Sequence, residues 1–250
     1  MQFVHVLTSP SAGTRTENGF RRHAVDIASD DVVEFDGVRV TSFTRTLIDL
    51  ARTTPFVAAV AALDWSLRPA ADRPPRVRID ELQEYFETQP GERYRRRVYR
   101  ALEFASPRSA SPGESVSRAV MHELGLPAPE LQFEVRDGRG LVGICDFAWP
   151  DFRLLGEFDG RVKYTRNMAR PGENVEDIVV REKIREDRMR ATGLGMTRWL
   201  WSEALQPEML RYKLLAAGLS TRRSGPVRVA RGRIGGPDML SRPGKEKAGR

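Results

Sequence analysis

A single cysteine, Cys145, among 250 residues excludes an internal disulfide framework and any cysteine-rich zinc site. Histidine is also scarce: His5, His23 and His122 lie far apart and form no metal-binding motif. The chain lacks a Gly-x-Ser-x-Gly elbow, a Walker loop and a dinucleotide fingerprint, so acyl-transfer, P-loop and nicotinamide chemistry are poorly supported. No apolar stretch approaches the roughly 20 residues of a membrane span, and no charged-then-apolar leader opens the sequence. The expectation is a cytoplasmic protein of ordinary globular composition, with no membrane partner.

Charge of one sign is also scarcer than the net +7 suggests. Nine of the 41 basic residues and two of the 34 acidic ones lie in 221–250, which leaves the other 220 residues balanced at 32 of each. The excess therefore belongs to the tail. Residues 221–250 are rich in Gly, Pro and Arg and poor in large apolar residues, which predicts a disordered basic tail. Such a tail adds salt-sensitive affinity for phosphate backbones, or serves only to solubilise.

What is present is a mixed α/β pattern. Strand-like runs at Phe3–Leu7, His23–Ile27 and Val38–Val40 have a turn at Asp36-Gly37 between the second and third. Helical sequence follows at Thr44–Ala51, after Pro55, at Ile79–Phe86 and at Tyr94–Phe104. Together these define a small α+β region over 1–105. Ser-Pro-Arg-Ser-Ala-Ser-Pro-Gly at 106–113 then reads as a linker. Beyond it, Ser111-Pro-Gly-Glu114 is a capping-box pattern that opens a helix with Val116, Val120 and Leu124 on one face. Three strands are predicted at Leu131–Val135, Leu141–Trp149 and Arg153–Asp159, with connections so short that neighbours must be antiparallel. A charged helix over 175–191, a strand Met196–Trp201 and a helix from Ser202 complete the order α-β-β-β-α-β, then α, within 111–220.

Chemistry concentrates in that second half. On a strand, Glu157 and Asp159 point the same way, and two carboxylates so placed repel unless something compensates. A divalent cation such as Mg²⁺ or Mn²⁺ is the usual compensation, and a solvated strand end is the plain alternative. Alternation places Val142, Ile144, Asp146 and Ala148 on one face, so Asp146 interrupts an apolar stripe at a cost that pairing or a cation would offset. Glu114, at the third position of its helix, either reaches back to cap it or joins the acidic cluster; the two roles are compatible. Lys163 follows across Gly160 and can orient a water or steady a phosphate, with Tyr164 assisting, or be merely solvated. Arg93–Arg100 is a second basic segment, interleaved with Tyr94 and Tyr99; a nucleic-acid backbone would suit it, and so would solvent.

Glu114, Asp146 in Cys-Asp-Phe, Glu157-Phe-Asp-Gly160 and the Arg-Glu-Asp-Arg…Gly…Thr-Arg-Trp series at 185–199 resemble PD-(D/E)xK nuclease domains, nearest to the very-short-patch-repair (Vsr-like) endonuclease-related group. The resemblance spans about 111–205 and implies a restriction-endonuclease-like αβββαβ core with a mixed sheet flanked by helices. It further implies Mg²⁺ or Mn²⁺ held by Asp146, Glu157 and Asp159, with Glu114 and Lys163 completing the catalytic set. Arg161, Lys163, Tyr164, Arg185 and Arg188 would contact nucleic acid, with DNA the expected form. Two departures stand out: Glu-x-Asp replaces the common Glu-x-Lys, and no histidine follows Asp159-Gly160. Val40-Thr-Ser-Phe-Thr-Arg-Thr-Leu-Ile-Asp-Leu-Ala51, with Asp64-Trp-Ser-Leu67, is similar to actinobacterial abortive-infection type IV antitoxin-like proteins. Such proteins begin with a winged helix-turn-helix; this sequence opens directly on strands, so the expectation is a relative lacking that module.

Two functions follow as expectations. One is a metal-dependent endonuclease that hydrolyses phosphodiester bonds. The other is a non-catalytic, antitoxin-like regulator that keeps the nuclease fold as a scaffold for DNA, a cognate toxin or another protein partner.

Overall fold

The computed structural model describes residues 3–70, 72–89, 94–160 and 175–220. Three short strands open the chain: β1 (Val4–Thr8), β2 (Thr16–Glu17) and β3 (Phe20–Ala24), with β3 central, parallel to β1 and antiparallel to β2. A separate hairpin follows, β4 (Val32–Phe35) and β5 (Val38–Thr41). Its turn is the expected Asp36-Gly37, whose φ values of 48° and 75° are those an Asp-Gly hairpin turn requires. The strand entering that turn is 32–35, and the strand expected at 23–27 instead lies three residues earlier, at Phe20–Ala24.

Four helices come next: α1 (Phe43–Thr53), α2 (Phe56–Leu67), α3 (Ile79–Thr88) and α4 (Arg95–Phe104). Ser42 caps α1 by accepting the Arg45 N–H, and Pro55 precedes α2, so both starts are locally encoded. Their apolar faces meet in one core built on Ile48, Val60, Leu63, Leu82, Phe86 and Leu102. Each such side chain contributes on the order of 1.5–3 kcal/mol by leaving water.

The second half runs α5 (Pro112–Glu123), β6 (Glu130–Asp137), β7 (Gly140–Trp149), β8 (Leu154–Phe158), α6 (Val175–Ala191), β9 (Gly195–Trp199), α7 (Trp201–Ala204) and α8 (Pro207–Ala216). The strands form a four-stranded sheet in the order β6-β7-β8-β9. β6, β7 and β8 are successive antiparallel neighbours, and β9 returns parallel to β8 after the α6 crossover. The chain is thus a mixed α/β protein whose second half has the expected element order.

Adjacent residues Leu154 and Leu155 belong to different cores, which shows that both faces of the sheet are covered. On one side Phe147, Phe158 and Trp199 pack with Val116 and Val120 of α5 and with Leu210 and Leu214 of α8. On the other, Val135, Cys145, Ala148 and Leu155 pack with Met189 of α6. Two close approaches require glycine: a Cβ on Gly113 would stand 2.0 Å from the Phe158 ring, and one on Gly156 would stand 2.7 Å from Trp199.

The 106–113 segment joins the halves through buried polar contacts. Asp64 of α2 is fully buried; it receives two N–H bonds from Arg118 of α5, at 2.8 and 3.0 Å, and the Ser106 N–H at 2.7 Å. Arg118 also donates to the Phe104 carbonyl and lies over the Phe104 ring, and Arg108 donates to the Leu131 carbonyl. His122 completes this junction as a ring neighbour of Phe56 and Phe104.

Candidate functional site

The candidate site lies where β7 and β8 part. Their backbone pairing ends at Phe147 with Gly156, and the next ladder position is filled by a side chain: Asp146 Oδ2 accepts the Phe158 N–H at 2.8 Å. Opposite, β6 pairs Leu131 with Phe147 and Phe133 with Cys145, while Gln132 between them takes the left-handed conformation, φ 52°. That kink reverses the alternation. Leu131 and Phe147 face the α5 side, but Phe133 and Cys145, two residues on, face α6. The expectation of one face shared by Val142, Ile144, Asp146 and Ala148 is therefore corrected: Ile144 is 49% exposed, and Cys145 is buried beside Ala148.

Gln132 also decides the fate of Glu114. The Glu114 carboxylate, 1% exposed, accepts from the Ala110 N–H at 2.8 Å, the Ser111 hydroxyl at 2.8 Å and the Gln132 amide at 2.9 Å. Ser111 in turn accepts the Glu114 N–H, so the helix start is capped as its sequence indicates. Both carboxylate oxygens are thus engaged in holding the 110–114 turn against β6.

Glu157 points into a different environment. Its Oε1 receives both terminal nitrogens of Arg185, each at 3.1 Å, and its Oε2 receives Nε of Arg198 at 2.8 Å. Arg185 comes from α6 and Arg198 from β9, so the crossover and the parallel strand both close onto this carboxylate. Arg198 also pairs with Glu186, and burial of its charge is outweighed by the two carboxylates, which raise its pKa. Cys145 Sγ lies 3.8 Å from Glu157 Oε1; burial first, and the Glu157 charge second, push this thiol up to about 12. Cys145 is consequently a neutral packing residue.

Asp159 stands just past β8, half-buried, with its N–H donating to the Trp199 carbonyl at 2.8 Å. Arg188, expected at nucleic acid, makes a two-pronged pair with Asp137, both contacts at 2.8 Å. This pair holds α6 to the β6–β7 turn and draws the Asp137 carboxyl down to about 2. Lys163, Arg161 and Tyr164 lie outside the described residues.

The structure therefore brings Asp146, Glu157 and Asp159 to one end of the sheet, with Asp146 on the Phe158 N–H and Glu157 on two guanidinium groups. Among the described residues no group of three His, Cys, Asp or Glu side chains converges on a point where an ion could sit. Mg²⁺ needs carboxylate oxygens turned toward it, and both oxygens of Glu157 already face guanidinium groups. The arrangement of these donors does not fit the expected metal centre. Sequence reasoning missed the partners that decide this. Arg185 and Arg198 lie 28 and 41 positions from Glu157, and no local spacing signals such a pairing.

No family model matches the chain, and no solved structure matches it. Two curated relatives do, each 34% identical over 141 residues: "Uncharacterized protein MT2308" of Mycobacterium tuberculosis (strain CDC 1551 / Oshkosh) and "Uncharacterized protein Rv2248" of Mycobacterium tuberculosis (strain ATCC 25618 / H37Rv). Each match covers 56% of this chain and 49% of the relative, so the chain spans about half the length of the curated relatives it matches.

Proposed function

We propose that the chain is a nucleic-acid-binding regulator of the antitoxin-like kind, whose second half keeps a restriction-endonuclease-like architecture as a scaffold without hydrolysing phosphodiester bonds. The αβββαβ order and the motif resemblance at 111–205 support the nucleic-acid assignment. The observation that carries the non-hydrolytic reading is the state of Glu157: a carboxylate whose two oxygens are taken up by the Arg185 and Arg198 guanidinium groups is a structural anchor. Glu114, engaged by three donors, agrees.

A second reading, a Mg²⁺- or Mn²⁺-dependent endonuclease, is favoured by one observation. Asp146 and Glu157 stand at the same splayed end of β7 and β8, beside Asp159. One experiment separates the two. Full-length protein is incubated with labelled single- and double-stranded DNA and RNA, with Mg²⁺, Mn²⁺ or EDTA, alongside a binding measurement on the same probes. The scaffold reading expects binding and no cleavage in any metal. Cleavage that requires the metal and is lost in both Asp146→Ala and Glu157→Ala would establish the endonuclease, and absence of binding to every probe would overturn both readings.

A further inference from the structure

The turn between α2 and α3 carries a group of arginines with no carboxylate partner. Arg68, Arg73 and Arg76 gather there, and none forms an ion pair among the described residues. Asp72 shares the turn and pairs with none of them. The Arg76 guanidinium lies 3.5 Å from the centroid of the Trp65 ring and donates to the Trp65 carbonyl at 3.3 Å. Desolvation, then the neighbouring charges of Arg73 and Arg68, lower the Arg76 pKa, so the three cations repel one another.

Most arginines of the neighbouring basic segment are engaged within the protein. In α4, Arg95 pairs with Glu87, Arg97 reaches the Thr54 carbonyl and Arg100 meets Glu123. The α2–α3 turn differs further in its aromatics: Trp65 and Phe43 are both 41% exposed, with ring centroids 6.3 Å apart. Arginines with no carboxylate partner beside exposed rings form the two-part surface that holds single-stranded nucleic acid, cations on the backbone and rings under unpaired bases. A guanidinium already stacked on indole has its remaining N–H groups pre-aimed for a phosphate. An acidic peptide would use the cations but not the rings; a membrane interface would use both, and the vesicle comparison below separates it.

The turn also adjoins the sheet end described above. Arg68 donates to the Ala110 carbonyl, the Ala110 N–H bonds Glu114, Gly113 abuts Phe158, and the Phe158 N–H bonds Asp146. We infer that Arg68, Arg73 and Arg76, with Trp65 and Phe43, form a binding surface for single-stranded nucleic acid. This inference rests on the nucleic-acid-binding reading above and names the surface that performs it.

The test is fluorescence anisotropy of the full chain with labelled oligo-dT and oligo-U of about 20 nucleotides, across a salt series. The Arg73→Ala/Arg76→Ala double variant should bind both probes about tenfold or more weakly and lower the salt slope by about 1.4, at about 0.7 per contact. Trp65→Ala should lose about tenfold with the slope unchanged, because stacking releases no counterions. Arg211→Ala, the same charge removal on α8, should bind like the parent. If the parent binds and the double variant binds equally well, the surface is wrong while the nucleic-acid reading stands. If the parent binds no probe, both fall. If the double variant instead loses binding only to phosphatidylserine vesicles, the surface is a membrane contact and the inference is overturned.

Discussion

Glu157→Gln tests the candidate site most directly, because its two interpretations predict opposite signs. The Glu157 side chain is 15% exposed, Arg185 23% and Arg198 31%. A fully buried pair that loses one member costs about 3–5 kcal/mol, because the survivor stays charged and unpaired. A fully exposed pair costs about 0–1 kcal/mol. At this partial exposure water re-solvates the two arginines in part, so the loss should be about 2 kcal/mol. For a chain of this length that corresponds to a Tm lower by about 4–8 °C, read by calorimetry or circular dichroism in EDTA. If Glu157 belonged to an acidic cluster awaiting a cation, its neutralisation in EDTA would relieve repulsion and raise the Tm. Mg²⁺ would then stabilise the parent and not the variant. A Tm that rises, or one that Mg²⁺ raises only in the parent, refutes the anchor assignment. Arg185→Met should reproduce most of the loss, and the double variant should cost less than the sum, since each single change leaves the other's partner behind.

The Asp137–Arg188 pair adds a pH dependence. With the Asp137 carboxyl drawn down to about 2 from an unfolded value near 3.9, its stabilisation is complete above about pH 4 and lost as pH falls through about 2. Melts of the parent and Asp137→Asn should therefore differ at pH 7 and converge by pH 2; a pH-independent gap would contradict the pairing. Asp64→Ala strands Arg118 in the junction of the halves and should cost about 3–5 kcal/mol in urea unfolding, with one cooperative transition in the parent because both halves share the bond. Gly113→Ala drives a methyl into the Phe158 ring and should cost about 1–3 kcal/mol, whereas Gly138→Ala, with open space around it, should change stability little.

Much of the fold was legible because its signals are local. Pro55, Ser111 and Pro112 mark helix starts, Asp36-Gly37 marks a hairpin turn, and short turns between β6, β7 and β8 leave only antiparallel pairing. β2, at two residues, is too short to carry an alternation, and β4, Val-Val-Glu-Phe, was missed for a related reason: its apolar residues remain exposed, so no burial pattern shaped them. Of the site, the positions of Asp146 and Glu157 at one sheet end were readable from strand order. Their partners were not.

The amino-acid sequence by itself determined the order of elements, the capped entry of Glu114 and the carboxylates on β7 and at the end of β8, all of which arise within a few residues. Only the tertiary structure decided what Glu114 and Glu157 touch. The left-handed Gln132 reversed a strand's faces, α6 carried Arg185 and β9 carried Arg198 onto Glu157, and the α2–α3 turn brought Arg76 onto Trp65. The physical reason is that a charge is defined by its neighbours. Caps and turns draw their neighbours from the adjacent chain, whereas an ion pair or a stacked ring takes them from wherever the fold returns.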